Sequence, residues 1–241
     1  MAILVTRPQP DNDKTAQGLR ARGLEVLVSP ILRLEPLPFH HDPDVTYDAV
    51  IVTSANAMRA VKDDPGLAPL QGLKLFAVGD ASAEIARQSG FRNVVSASGD
   101  GAALREAVTA KLKKNSTLCY LAGADLGRDL TVELGERGYT VITHTTYRMI
   151  LVPHFSDAVI AAFSANDIEA VLHYSRRSAR AFIDAAQASG VEILALALPQ
   201  ICISQPVASI LREAGASRVI VAQSPDENAI FGALDRTLGK T

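Results

Sequence analysis

Tryptophan is absent from this chain of 241 residues, aromatic residues make up only 5% of it, and there are just two cysteines. A core so poor in rings has to be filled by aliphatic side chains, and two isolated cysteines exclude a disulfide scaffold. Both lie in apolar strand-like runs, Cys119 in "TLCYLA" and Cys202 in "ICIS", and read as buried free thiols of a reducing cytoplasm. Net charge is nearly absent: 24 Lys and Arg against 26 Asp and Glu leave −2. That balance argues against nucleic acid or a membrane surface as partner. The apolar runs are short, Ile193 to Leu198 among the longest, far below a bilayer span. The opening "MAILVTRPQPDNDK" lacks the basic start and long apolar stretch of a secretory signal.

Chemistry-bearing motifs are missing as well. No stretch matches the GxxxxGK[ST] phosphate loop, "VGDASAEIARQSG" has too few glycines for a dinucleotide fingerprint, and no GxSxG is present. His40-His41-Asp42 falls in a proline-rich turn where adjacent side chains point apart, so it reads as a solvated turn and not a metal site. His144, His154 and His173 stand alone and read as core or surface residues. The expectation is a protein without metal or cofactor.

What the chain does have is alternation. Hydrophobic residues make up 48% of it, and short apolar strands alternate with amphipathic helices, the signature of α/β architecture with parallel sheets. Strands are expected at 2–6, 24–29, 49–53, 74–78, 93–96, 117–122, 140–145, 170–175, 201–204 and 218–222. Gly23, Gly90, Gly138, Gly190 and Gly215 follow helical stretches, where a left-handed terminal residue belongs. The two halves also match in order. "LRARGLEVLVS" from 19 resembles "LGERGYTVITH" from 134, an offset of 115; "AVIVTSANA" from 49 resembles "AVLHYSRRS" from 170, an offset of 121. "AEIARQSGFRNVV" from 83 resembles "ASILREAGASRVI" from 208, an offset of 125, and a duplicated unit explains the series. Between the blocks lie two extended segments, "PILRLEPLP" (30–38) and "TTYRMILVP" (145–153), each ended by a proline. They allow either sequential halves cut near 115 or a chain that crosses over at the first segment and returns at the second.

Open α/β sheets bind ligands at the carboxyl ends of their strands. Those ends read Thr6-Arg7-Pro8, Thr53-Ser54-Ala55-Asn56, Gly79-Asp80-Ala81-Ser82, Gly123-Ala124-Asp125, Ser175-Arg176-Arg177-Ser178 and Ser204-Gln205-Pro206. Ser54, Asp80 and Ser175 suit N-caps, and Pro206 suits a first helical position. Capping accounts for any one of them. Six at one rim, with Arg7, Arg176 and Arg177 among them, suit carboxylates held by free helix N–H groups and guanidinium groups.

The ordered set "AILVTRPQPDNDKTAQGLRARGLEVLVSPILRLEP", "YDAVIVTSANAM", "LFAVGDASAEIARQSGF", "YLAGADLGRDLTVELGERGYTV" and "TTYR" resembles the uroporphyrinogen-III synthase family, over residues 1–235. The resemblance implies two similar flavodoxin-like α/β domains, each a parallel sheet flanked by helices, joined by a two-stranded antiparallel linker. The first domain would hold 1–32 plus 153–241, the second 38–145, with 33–37 and 146–152 as linker strands. It implies a cofactor-free, cytoplasmic, monomeric lyase. Its substrate would be hydroxymethylbilane, a linear tetrapyrrole with eight carboxylates, handed over by the preceding pathway enzyme and bound between the domains. Loss of the terminal hydroxyl as water gives an azafulvene cation; ring D attacks through its substituted carbon, and the resulting spiro intermediate fragments and re-closes with ring D inverted.

Residue by residue, Tyr147 of "TTYR" falls at the family's linker tyrosine, where it either donates to the departing hydroxyl or packs between strands. Thr53, Ser54 and Asn56 match a polar tract that would cradle carboxylates, Gly79 and Asp80 a second tip, and Gly123 a third. Thr6 and Arg7 match the opening pair, with Arg7 either holding the domain or facing the substrate. The chain departs from the family at "HYSRRSA" and "ISQPVA", where Ser175, Arg176, Ser204 and Gln205 stand in for hydroxyl-rich tips, and where Arg176 and Arg177 either bind carboxylates or face solvent. A non-catalytic two-lobed small-ligand sensor of the cytoplasm is the alternative that the same architecture allows.

Overall fold

The run Ala49–Val52 is apolar throughout and 0% exposed at every position, the condition of a strand covered by helices on both faces. The computed structural model, which describes residues 1–40, 42–125 and 130–239, repeats that condition in two sheets; His41 of the proline-rich turn lies outside the described residues. In chain order the strands are β1 (Ala2–Val5), β2 (Glu25–Val28), β3 (Leu32–Pro36), β4 (Ala49–Val52), β5 (Lys74–Ala77), β6 (Asn93–Ser96), β7 (Thr117–Gly123), β8 (Thr140–Leu151), β9 (Ile168–His173), β10 (Gln200–Cys202) and β11 (Val219–Val221). The α-helices are α1 (Asp11–Arg20), α2 (Ala55–Val61), α3 (Asp80–Gln88), α4 (Gly101–Lys111), α5 (Leu130–Gly135), α6 (Asp157–Ser164), α7 (Arg176–Ala188), α8 (Glu192–Ala197), α9 (Gln205–Glu213) and α10 (Glu227–Thr237).

The chain divides into two compact units, one of Met1–Arg33 with Ile150–Thr241, the other of Leu34–Met149. In the first, parallel strands run in the order β2-β1-β9-β10-β11. In the second the order is β8-β7-β4-β5-β6, also parallel, with β3 added outside β8. Counted from β1 and from β7, both are the 2-1-3-4-5 order of flavodoxin-like sheets. Each unit thus takes its first two strands from one repeat and its last three from the other. The registers carry the duplication too. Ala2 pairs with Glu25 as Thr117 pairs with Thr140, and Ile3 pairs with Ala170 as Leu118 pairs with Ala49. Gly23 (φ 72°) and Gly138 (φ 89°), equivalent positions, both end their helices left-handed, where a Cβ is disfavoured.

The two connectors are not alike. Pro30 has no N–H for a ladder, so the first repeat breaks after β2 and restarts as β3. Thr145 stands at the equivalent place in the second repeat, and β8 runs on unbroken for 12 residues, strand and linker in one. Leu37 N donates to Thr146 O (2.8 Å) and Val152 N to Ile31 O (3.0 Å), so one residue number falls as the other rises and the ladder is antiparallel. The Glu35–Arg148 ion pair crosses it in the same register.

Strand alternation sends Val50, Val52, Leu75, Ala77, Cys119 and Leu121 into one layer with Met58 and Ala83. Ala49, Ile51, Phe76, Leu118 and Tyr120 face the other layer, with Leu104 and Val108. In the first unit Ile3, Val5, Ala170, Leu172 and Ile201 pack on Leu19, Ile230 and Leu234. Cys119 and Cys202 are free and buried, and burial pushes both thiols up to about 12. Both are expected to resist Ellman's reagent at pH 8 in the native protein and to react only after denaturation, because the thiolate is the nucleophile.

His173 is fully buried against Phe182, and burial lowers it to about 4, against the pull of its bond to Gln200. The Gln200 amide donates to the carbonyls of Ala195 and Leu198, which turns its oxygen to His173 Nε2 at 2.7 Å and makes that nitrogen the one carrying hydrogen. The folded value lies below that of the unfolded chain, so this contribution is present above about pH 6.5 and is lost as pH falls toward about 4. Urea unfolding is expected to show stability about 2 kcal/mol lower at pH 5 than at pH 7 from this residue alone. His173→Gln should flatten that difference, and an unchanged slope would contradict the assignment.

Candidate functional site

In a doubly wound sheet the ligand crevice opens at the carboxyl edge, where neighbouring strands send their connections to opposite faces. That switch point lies between β1 and β9 in the first unit and between β7 and β4 in the second. The sequence-predicted residues cluster at these two edges, but their side chains divide into those already engaged and those on offer.

At the β1 edge both are engaged. Thr6 is buried and its hydroxyl donates to the Leu172 carbonyl at 3.3 Å, joining β1 to β9 instead of presenting itself to a ligand. The Arg7 guanidinium lies 4.0 Å over the Tyr174 ring. It donates to Thr15 (3.0 Å), to Glu227 (3.2 Å) and to Asp11 (3.3 Å). A stacked cation with two carboxylates ties β1, α1 and α10 together. Burial pushes the Tyr174 phenol up to about 12, the Thr15 and Arg7 contacts opposing and Glu227 adding.

The β9 edge is different. Ser175 caps α7, accepting from Ser178 N (3.0 Å) and donating to Ser178 Oγ (2.9 Å), so its hydroxyl is used. Arg176 and Arg177 are exposed just beyond it. With Arg180, Asp184 and the half-exposed Leu151 they line a cavity of about 630 Å³. Arg176 and Arg180 have no ion-pair partner among the described residues. Like charges at i and i+4 weaken a helix slightly, so α7 itself gains nothing from their placement. Sequence reasoning missed Arg180 and Leu151; the helical spacing from Arg176 was the available signal. At the β10 edge Ser204 precedes α9 with no side-chain cap, and Gln205 accepts from Arg212 at 3.0 Å.

In the second unit the β4 tract is partly a cap. Ser54 accepts from Asn56 N (3.1 Å), Asn56 Oδ1 accepts from Arg59 (2.7 Å), and Thr53 shares a hydrogen bond with Tyr120 (2.9 Å). At the β5 edge Gly79, not Asp80, is the N-cap of α3, and open space stands where its Cβ would be. Asp80 is exposed and its carboxylate receives the hydroxyls of Ser96 (2.6 Å) and Ser98 (3.3 Å). A carboxylate there repels an anionic ligand, so what this edge offers is Gly79 and first-turn N–H groups.

The β7 edge holds Gly123, and across it lies the ring of Tyr147, partly buried against the layer of Val50 and Leu121. The Tyr147 hydroxyl has no hydrogen-bond partner among the described residues.

Two further cavities, of about 640 and 290 Å³, lie at the amino edge of the first sheet. Met1, Glu25 and Asp167 line the larger, Glu169 and Arg218 the smaller. The larger matches the arginine cavity in volume, yet its carboxylates, Glu25 and Asp167, are offset by Arg20 and the Met1 ammonium, whereas Arg176, Arg177 and Arg180 outnumber Asp184 in the other. Charge, not size, favours the carboxyl edge.

A family model described as uroporphyrinogen-III synthase HemD matches residues 13–232. Among solved structures, the uroporphyrinogen-III synthetase from Helicobacter pylori is 19% identical, with 98% of this chain and 99% of that chain covered and a TM-score of 0.66. A mutant uroporphyrinogen III synthase from the extremely thermophilic bacterium Thermus thermophilus is 17% identical over 100% of both chains, with a TM-score of 0.54. At those identities the two structures carry the fold, and the family model carries the kinship. No curated protein matches this chain.

Proposed function

This chain belongs to the uroporphyrinogen-III synthase family and has that family's cyclising activity, and from that premise we propose that it works through the carboxyl edges of its two sheets. The substrate, hydroxymethylbilane, is held by its carboxylates. Arg176 and Arg180 in the first unit meet them with charge; the uncapped first turn after Gly79 meets them with N–H groups, joined by Ala55 N after Ser54 and Gln205 N after Ser204. The Tyr147 phenol donates a proton to the terminal hydroxyl, the carbon–oxygen bond breaks, and water leaves an azafulvene cation beside the phenolate; the proton that ring D sheds from its free α-carbon on final closure restores the phenol. Ring D attacks that carbon through its own substituted position, and the spiro intermediate opens and re-closes inverted.

The observation that carries this reading is the Tyr147 phenol, beside the switch point of its unit and with no hydrogen-bond partner among the described residues; Arg176 and Arg180, without ion-pair partners among those residues, stand beside the switch point of theirs. Orientation supplies most of the rate: holding reacting groups in line is worth roughly 7–11 kcal/mol, so one proton donor suffices. The sensor alternative is not favoured, since it leaves the family match without a role. As part of the same proposal the protein acts as a monomer in the cytoplasm on substrate handed over by the preceding enzyme; the free buried thiols support a reducing compartment. Among the described residues no helix is long and apolar enough to cross a membrane.

The test is the isomer ratio of cyclic product formed from fresh hydroxymethylbilane, separated by chromatography. Predominance of the III isomer over the I isomer made in buffer is expected. An unaltered ratio would refute the reading.

A further inference from the structure

Tyr147 reaches its place through a local irregularity. Along β7 and β8 the pairing advances one for one until Ala122 meets Thr145; the next pair is Gly123 with Tyr147, so Thr146 is an extra residue in β8. An inserted residue re-aims the side chains that follow it. This one is pinned from inside: Thr146 is fully buried and its hydroxyl donates to the Ala122 carbonyl at 3.1 Å. Just beyond, Ala124 N donates to the Tyr147 carbonyl at 2.9 Å. The bulge thereby swings the Tyr147 ring across the end of β7, onto the one residue there with no side chain.

A Cβ on Gly123 would stand 2.6 Å from Tyr147 Cζ, 2.8 Å from its hydroxyl oxygen and 2.9 Å from Cε1. None of these contacts is tolerable. Gly123 has no positive φ to explain it, so the need is for space and not for backbone freedom. We infer that Gly123 and Thr146 are positioning residues for the Tyr147 phenol, the bulge aiming the ring and the missing side chain giving it a seat. This replaces the expectation that Gly123 touches substrate, and it rests on the proposed role of Tyr147.

Gly123→Ala tests it. The clash falls on the free end of a side chain, so the ring turns aside and the fold survives. A displacement of that kind is expected to lower kcat about 100-fold, with KM for hydroxymethylbilane and Tm unchanged. Added to Tyr147→Phe, Gly123→Ala should lower kcat no further, because both changes remove the same interaction. A merely structural glycine would lower Tm and add its loss to that of Tyr147→Phe. Wild-type kcat in Gly123→Ala beside a slow Tyr147→Phe overturns the inference and leaves the phenol's role standing; wild-type kcat in Tyr147→Phe overturns both. Should Gly123→Ala be insoluble, Thr146→Val keeps the shape and removes the pin, and is expected to lower kcat about 10-fold at constant KM; wild-type kcat there overturns the inference.

Discussion

Tyr147→Phe is expected to slow conversion of hydroxymethylbilane about 100-fold in kcat, the lower end of what a positioned general acid contributes. The ring remains, so its packing against the layer of Val50 and Leu121 is preserved. The deleted hydroxyl has no partner among the described residues, so its loss orphans no protein group. Stability should therefore match the parent while activity does not, which separates a proton donor from a packing residue. The isomer ratio of the residual product should stay in favour of III, because orientation is set by the carboxylate contacts and not by the phenol. A wild-type rate in this variant would reduce Tyr147 to packing.

Removing the arginine pair tests the other half of the site. Each charge-assisted hydrogen bond to a carboxylate is worth roughly 1.5–3 kcal/mol, so Arg176→Gln with Arg180→Gln should raise KM by about 100-fold or more while kcat changes little. The substrate's remaining carboxylates still orient it once it is bound. Both heads are exposed and lack ion-pair partners among the described residues, so Tm should hold. Asp184 shares the cavity; Asp184→Asn is expected to lower KM a few-fold by removing a repulsive charge. Raising the salt concentration should weaken the parent more than the double variant. Steady-state kinetics at two ionic strengths reads all of this, and an unmoved KM would place the substrate elsewhere.

Duplication leaves offsets that survive divergence, and two prolines closed two extended segments, so the residues made a crossed chain one of two options; the family resemblance chose between them. Strand positions followed from apolar runs that need burial on both faces. Partnerships were not legible. Nothing in "VTRPQP" shows that Arg7 meets Glu227, 220 residues away, or that Thr6 bonds to the Leu172 carbonyl; each tip read as available until its neighbours in space were known. Asp80 read as a cap because aspartate favours caps, but Gly79 took that place and left the carboxylate to two serines. The Thr146 bulge changes no apolar pattern, so periodicity passes over it. Arg180 was hidden by the ordinariness of an arginine on an amphipathic helix, and acquires meaning only with the cavity in front of it.

The location of the substrate site decides the whole account, and backbone amide chemical shifts of the isotope-labelled protein, titrated with uroporphyrinogen III under anaerobic conditions, measure it most directly. Shifts are predicted at Ser54, Gly79, Gly123 and Arg176, at the carboxyl edges of both sheets. Glu25, Ile168 and Arg218, at the amino edge, should stay still. Shifts confined to that amino edge, beside the cavity of Met1 and Asp167, would contradict it.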